Sequence, residues 1–268
     1  MRSVLFMVIN AIWMTLLLPA AFLAMLVTLN RDSGVWLART WWSPFLVRVV
    51  AGARLTVIGA ENIDRNRPTV YVSNHQSTLD IPVLFIAIPI NFRFVAKSQL
   101  RWVPVLGWFL WIGGHIFVNR SNHRSAVRSL KAAGEKIRKG CSILMYPEGT
   151  RSPDGRILPF KKGPFSLAVE AGVSVCPVTI EGTASIMPKN RWAITPGEVK
   201  VKIGRPIDAT AYIERGRDAL MRDVRDVVIA QSLELGGLGG DRKDFVAARG
   251  LEGVGRPDSR PVTEAPPP

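Results

Sequence analysis

The chain has 268 residues, 47% of them hydrophobic, with 35 Lys and Arg against 21 Asp and Glu, for a net charge of +14. That is long enough to bury a large core and too apolar for a mainly disordered protein. Cys141 and Cys176 lie far apart and form no CxxC, which argues against a disulfide framework or a Cys-rich metal site. The positive charge suits an anionic partner: nucleic acid, anionic membrane or a phosphorylated small molecule. Eight Trp residues tilt that choice toward membrane.

From Val4 to Leu29 the chain carries no charge. As a helix that run is about 39 Å long, enough to cross a hydrocarbon core of about 30 Å. It exceeds the usual apolar run of a signal peptide and no clear small-residue cleavage site comes after it, so a retained anchor is expected. Pro19 and Asn10 allow a kink or a helical hairpin. Val35–Ala53 is apolar again, with Trp36, Trp41 and Trp42 interleaved with Arg39 and Arg48, a texture suited to a membrane interface. Arg31, Arg39 and Arg48 favour a cytoplasmic position for the domain beyond them, while Arg2 opposes it.

Between residues 54 and 232 two patterns alternate. Strands are expected at Leu55–Ile58, Val70–Ser73, Phe92–Ala96, His115–Val118, Ser142–Tyr146, Val175–Ile180 and Val199–Ile203. Helices are expected at Thr78–Ile88, Val103–Trp111, Asn122–Lys139, Pro164–Ala171 and Ala211–Ser232. In Asn122–Lys139, the residues Ala126, Val127, Leu130, Ala133 and Ile137 share one face, and Gly140 is a stop. The alternation predicts an α/β fold: a mixed, largely parallel sheet flanked by helices, with N-terminal membrane helices. The expected organisation is an anchor and interfacial helix over 1–53, a catalytic domain over 54–232 and a Gly/Pro-rich disordered tail over 233–268.

Candidate chemistry gathers where strands end. Asn74-His75-Gln76-Ser77-Thr78-Leu79-Asp80 comes after the Val70–Val72 run and precedes a helix. The mouth at strand C-termini is where α/β folds usually bind ligands. An Asp five residues after the His can fix the imidazole tautomer and stabilise the imidazolium. Taken alone, the same spacing also describes a surface His and a helix-capping Asp. After another apolar strand come Tyr146-Pro147-Glu148-Gly149-Thr150-Arg151: a tight turn with exposed amides and a guanidinium fork suited to phosphate. Arg120 ends a third strand, after Phe117. Cys176-Pro177-Val178 is an apolar strand whose Pro predicts an edge or wall. No second His stands at ligand spacing from His75, so no metal is expected.

Together these elements resemble the glycerolipid acyltransferases whose best-known members are 1-acyl-sn-glycerol-3-phosphate acyltransferases. The resemblance spans roughly Leu55 to Pro206. Asn74-His75 through Asp80 is similar to the family's NHx4D motif, Phe117 and Arg120 to its Phe/Arg motif, and Glu148-Gly149-Thr150-Arg151 to EGTR. Cys176-Pro177-Val178 resembles its Pro motif, with Cys where Val is usual. Lys97-Ser98-Gln99-Leu100 resembles Lys-x-Glu-Leu, with Gln for Glu, and Lys161-Lys162-Gly163 resembles the basic segment after EGTR.

The resemblance implies that His75, oriented by Asp80, is the general base for direct attack of an acceptor hydroxyl on an acyl thioester, with no acyl-enzyme and no metal or cofactor. It implies that Lys97, Arg120 and Arg151 grip the acceptor phosphate, and that Phe117, Glu148, Gly149 and Thr150 shape the substrate pocket. The expected partners are a lysophospholipid, acyl-CoA or acyl-acyl carrier protein, and membrane lipid, with no nucleic acid. The expected place is a membrane, the catalytic domain on the cytoplasmic face (the inner membrane if the source is bacterial). Acylation of another lysophospholipid or a lyso-aminolipid, and a non-catalytic lipid-binding role, are the alternatives.

Overall fold

Hydrophobic runs that end in turn residues become strands of one seven-stranded sheet in the computed structural model, which describes residues 2–30, 32–104, 106–119, 122–189 and 194–240. The chain opens with α1 (Arg2–Thr28), which has Pro19 in its interior. It turns at Leu29, whose φ of 52° is the left-handed exception among non-glycine residues described. The Asn30 side chain accepts the Asp32 amide at 2.9 Å and so starts α2 (Asp32–Leu37). Two π-helical segments come next, Ala38–Trp42 and Phe45–Val50.

Strands β1 (Ala53–Ile58), β2 (Val70–Ser73), β3 (Phe92–Lys97), β4 (Ile116–Val118), β5 (Ser142–Met145), β6 (Val175–Glu181) and β7 (Gly197–Ile203) lie in the order β1-β7-β6-β2-β5-β3-β4. Every neighbouring pair is parallel except β6 with β7. The sheet is therefore mixed and largely parallel, as the alternating pattern predicts. Helices α3 (Asp80–Ala87), α4 (Leu106–Ile112), α5 (His123–Arg138), α6 (Gly163–Ala171) and α7 (Thr183–Ile186) lie between strands, and α8 (Arg217–Glu234) comes after the last of them.

The two faces of the sheet carry separate cores. On one, Val35, Leu46 and Val47 from the N-terminal segment pack with Leu84, Phe85 and Phe92. On the other, Ala133 and Ile137 of α5 meet Phe165, Leu220 and Val224 of α6 and α8. Residues 32–51 thus belong to the main core, and the buried Arg93 of β3 reaches Asp32 in an ion pair that ties α2 to the sheet.

Four expectations change. Among the described residues no helix is long and apolar enough to cross a membrane, so the expected spanning anchor is not found. Instead α1 lays one side on the protein, with Ala21 and Met25 buried and Trp13 against Phe45 at 4.6 Å between ring centroids. Pro177 sits in an interior strand, not at an edge. Its missing N–H falls where the facing segment carries one extra residue between the Val178–Ile203 and Val175–Ile207 pairs, and its carbonyl is satisfied by the Gly204 amide at 2.8 Å. The last helix starts at Arg217, because Gly216 breaks the chain at a φ of 82°. It runs past 233, and residues up to Gly239 fold back, the Gly239 carbonyl accepting the Ile157 amide at 2.8 Å. The remainder of the expected tail, 241–268, lies outside the described residues.

Candidate active site

Register brings the two motif loops together. Val72 of β2 pairs with Met145 of β5, so the loops beginning at Asn74 and Tyr146 leave the same end of the sheet side by side. The Asn74 side chain clamps the first loop to β6, donating to the Ile180 carbonyl at 2.9 Å and accepting its amide at 2.8 Å. The Ser152 amide donates to the His75 carbonyl at 2.8 Å and ties the second loop to the first.

His75 Nδ1 lies 2.7 Å from Asp80 Oδ2. Asp80 is fully buried, and the same oxygen accepts the amides of Gln76 at 2.7 Å and Ser77 at 2.9 Å. A carboxylate so surrounded by donors is an acceptor, so the imidazole proton sits on Nδ1 and Nε2 carries the free lone pair. The Tyr146 ring stacks on the imidazole at 4.0 Å and 14° and fixes its plane. The pair can therefore take a proton from a hydroxyl presented at Nε2 and hold the resulting cation.

His75 borders a cavity of about 620 Å³. Lys97, Arg151, Lys161 and Lys189 supply cations to its lining, with the Thr78 and Thr150 hydroxyls. Much of the remaining lining is apolar, contributed by the N-terminal segment, α3 and α4, among them Leu37, Ala38, Trp42, Phe85, Phe109 and Leu110. The Arg151 guanidinium donates to Thr78 Oγ1 at 2.8 Å, and Lys189 Nζ donates to the Arg151 carbonyl at 2.7 Å, so these two cations are braced against neighbouring loops. Gly149 has a φ of 73°, and a Cβ there would stand 2.8 Å from Lys161 Nζ. The left-handed φ is what favours glycine here, since the Lys161 tip could swing aside.

The expected site residues do not all meet. His75, Lys97, Gly149, Thr150 and Arg151 border the cavity. Phe117 does not: it packs behind, against the Ala38–Phe109–Leu110 cluster, with the Arg101 guanidinium 5.8 Å from its ring centroid. Arg120 lies outside the described residues. Glu148, expected on the glycerol pocket, is buried beneath the loops, where Oε1 accepts the His75 amide at 3.0 Å and Oε2 the Leu158 amide at 3.4 Å. Sequence reasoning missed Lys189, Thr78 and the stacking role of Tyr146, and noted Lys161 without placing it. Lys189 lies beyond β6 in a loop with no motif, so only the fold reveals it. Among the described residues no group of three or more His, Cys, Asp and Glu is placed to hold a metal.

Burial pushes the Glu148 carboxyl up to about 8, with the charge of Asp80 adding to the rise, against the two amides and Arg225, which pull it down. Because the folded value lies above the usual 4.5, the unfolded chain binds fewer protons between 4.5 and 8. Stability from this group is complete below pH 4.5 and is lost as pH rises through 8. Glu148→Gln keeps an acceptor and removes the titration. Denaturant titrations from about pH 5 to about pH 8 will find that its stability falls less with pH than that of the wild type; parallel slopes contradict this.

The largely parallel sheet sets the two motif loops and the His75–Asp80 pair beside one cavity, and comparisons with known proteins give the family this arrangement belongs to. The Acyltransferase family profile matches residues 54–181. A chloroplastic 1-acyl-sn-glycerol-3-phosphate acyltransferase of Brassica napus is 40% identical over 64% of this chain and 49% of its own length. One of Arabidopsis thaliana is 34% identical over 88% of this chain and 65% of its own. The chain thus spans about half to two thirds of the length of these plant relatives. The crystal structure of a 1-acyl-sn-glycerophosphate acyltransferase from Thermotoga maritima superimposes with a TM-score of 0.76 at 32% identity, covering 90% of this chain and 97% of that one. The chain belongs to this acyltransferase family, the one that holds the 1-acyl-sn-glycerol-3-phosphate acyltransferases.

Proposed function

We propose that the protein transfers a fatty acyl chain from acyl-CoA or acyl-acyl carrier protein to the sn-2 hydroxyl of 1-acyl-sn-glycerol-3-phosphate, forming phosphatidate. One observation carries the reading: the His75–Asp80 pair opens, through His75, on a single cavity lined both by a set of cations and by apolar side chains. A lysophosphatidate matches that lining, with a phosphate monoester at one end and an acyl chain at the other. Lys97, Arg151, Lys161 and Lys189 take the phosphate, and the apolar lining takes a chain.

In the reaction, His75 Nε2 takes the proton from the acceptor hydroxyl as its oxygen attacks the thioester carbon. The tetrahedral intermediate collapses, the C–S bond breaks, and the imidazolium returns its proton to the leaving thiolate. No Ser or Cys lines the cavity among the described residues, and its two threonine hydroxyls are engaged by cations, Thr78 by Arg151 and Thr150 by Lys189, which supports direct attack rather than an acyl-enzyme. None of these steps calls for a cofactor. Acylation assays with lysophosphatidate and lysophosphatidylcholine side by side test the acceptor. Lysophosphatidate is expected to turn over much faster; equal rates would overturn the phosphate-monoester preference.

The enzyme works on the cytoplasmic face of a membrane, lying on lipid rather than crossing it. The support is a run of exposed apolar side chains on the N-terminal helices, including Leu26 and Trp41, continued by Trp102, Trp108 and Trp111 near α4. Trp102 is 83% exposed. Trp102→Asp combined with Trp108→Asp is expected to weaken co-sedimentation with anionic vesicles by about tenfold or more. Unchanged co-sedimentation would move the lipid-facing surface elsewhere.

A further inference from the structure

The proposed base pair has a third member that no motif announces. After β6 the chain turns through Glu181-Gly182-Thr183 into α7. Gly182 has a φ of 95°, and a Cβ there would run into the Glu198 carbonyl of β7, so this corner sits hard against the sheet. It touches the His75 loop twice. Glu181 Oε2 accepts the Gln76 side-chain amide at 3.0 Å, and Glu181 Oε1 is held by the Ser232 hydroxyl of α8 at 2.5 Å. The buried Thr183 hydroxyl donates to Asp80 Oδ1 at 2.5 Å.

That last contact divides the work of the carboxylate. Oδ2 faces His75, Gln76 and Ser77, while Oδ1 accepts from Thr183. Rotation about the Cβ–Cγ bond would swing Oδ2 off Nδ1, and the Gln76 and Ser77 amides oppose it from the Oδ2 side. A donor fixed by the β6–α7 corner opposes it from the Oδ1 side, where no other hydrogen bond forms among the described residues. It lies on the side away from the imidazole and out of the cavity lining, so it touches neither substrate nor the reacting atoms.

We infer that Thr183 is a positioning residue for the acyl transfer: its hydroxyl locks the Asp80 carboxylate in the rotamer that orients His75. The inference rests on the proposed function for its kinetic readout. It also has a readout that needs no substrate.

The test is the pair Thr183→Val and Thr183→Ser. Val keeps the shape and removes the hydroxyl, whereas Ser keeps the hydroxyl and removes the methyl. If the hydrogen bond matters, Val lowers kcat by about tenfold with KM for either substrate nearly unchanged, and Ser retains wild-type kcat. If Thr183 only fills space, the order reverses: Ser is the damaged variant and Val the intact one, and the inference is overturned.

Proton NMR supplies the second reading. The chain has three histidines, and the His75 Nδ1–H signal is assigned by its disappearance in His75→Ala. Expected is a low-field signal in the wild type and in Thr183→Ser, shifted upfield and broadened by water exchange in Thr183→Val. An unmoved signal in a folded Thr183→Val overturns the inference. A wild type that acylates no lysophosphatidate yet shows the expected NMR pattern overturns the proposed function and leaves the positioning role standing.

Discussion

Replacing His75 with Ala lowers turnover by about a hundredfold or more, the usual contribution of a positioned general base. Fold and substrate binding survive, because the cations and the apolar lining of the cavity come from other side chains. The imidazole is about 15% exposed and its ring rests on Tyr146, so its removal opens a space beside the existing cavity rather than a void in the core. The measurement is the initial rate of thiol release in micelles, with circular dichroism and thermal unfolding alongside. Full activity in the variant removes His75 from the chemistry whatever the substrate.

Substitution of Asp80 by Ala has the largest combined effect. The carboxylate is buried and accepts from His75, the amides of Gln76 and Ser77, and the Thr183 hydroxyl. Each donor left without a partner costs about 1–3 kcal/mol. The His75 tautomer also loses its anchor. Activity falls by about three orders of magnitude, and the thermal midpoint drops by at least about 5 °C. Asp80→Asn separates the two losses. Its amide oxygen can still accept from the loop while its NH2 donates to the Thr183 oxygen, so most of the stability returns. The negative charge facing the imidazolium does not return, and activity stays low. Comparable activity in Asp80→Asn and wild type would show that charge at this position is not needed.

Legibility in the chain tracked the range of the interaction concerned. Strand ends and loop starts are local, so Val70–Ser73 running into His75, and Ser142–Met145 running into Glu148, were visible as apolar runs meeting turn residues. The pairing of His75 with Asp80 was legible because both stand on one turn. The aim of Glu148 was not. Its carboxylate turns inward because the His75 and Leu158 amides converge there, one from a neighbouring strand's loop and one from farther along its own. Thr183 and Lys189 reach the site from beyond β6, over a hundred residues from His75, through strand order alone. Pro177 misled because an interior strand tolerates proline beside a local irregularity in the facing segment, and that irregularity is the extra residue between Ile203 and Ile207, which only the register reveals. The long apolar start was read from its lack of charge alone; that Ala21 and Met25 are buried, Met25 beside Gly34 of α2, depends on how the chain turns back after α1.

The most direct test of the central claim is to incubate the purified protein with lysophosphatidate and an acyl thioester in micelles, using each carrier in turn. Lipid product and free thiol are then quantified together, and the protein is weighed by mass spectrometry after exposure to donor alone. The expected result is phosphatidate formed in step with thiol, and a protein whose mass is unchanged by donor. Thiol release without phosphatidate, a stable acyl adduct on the protein, or no product from either carrier with folded protein would contradict direct transfer from thioester to lysophosphatidate at His75.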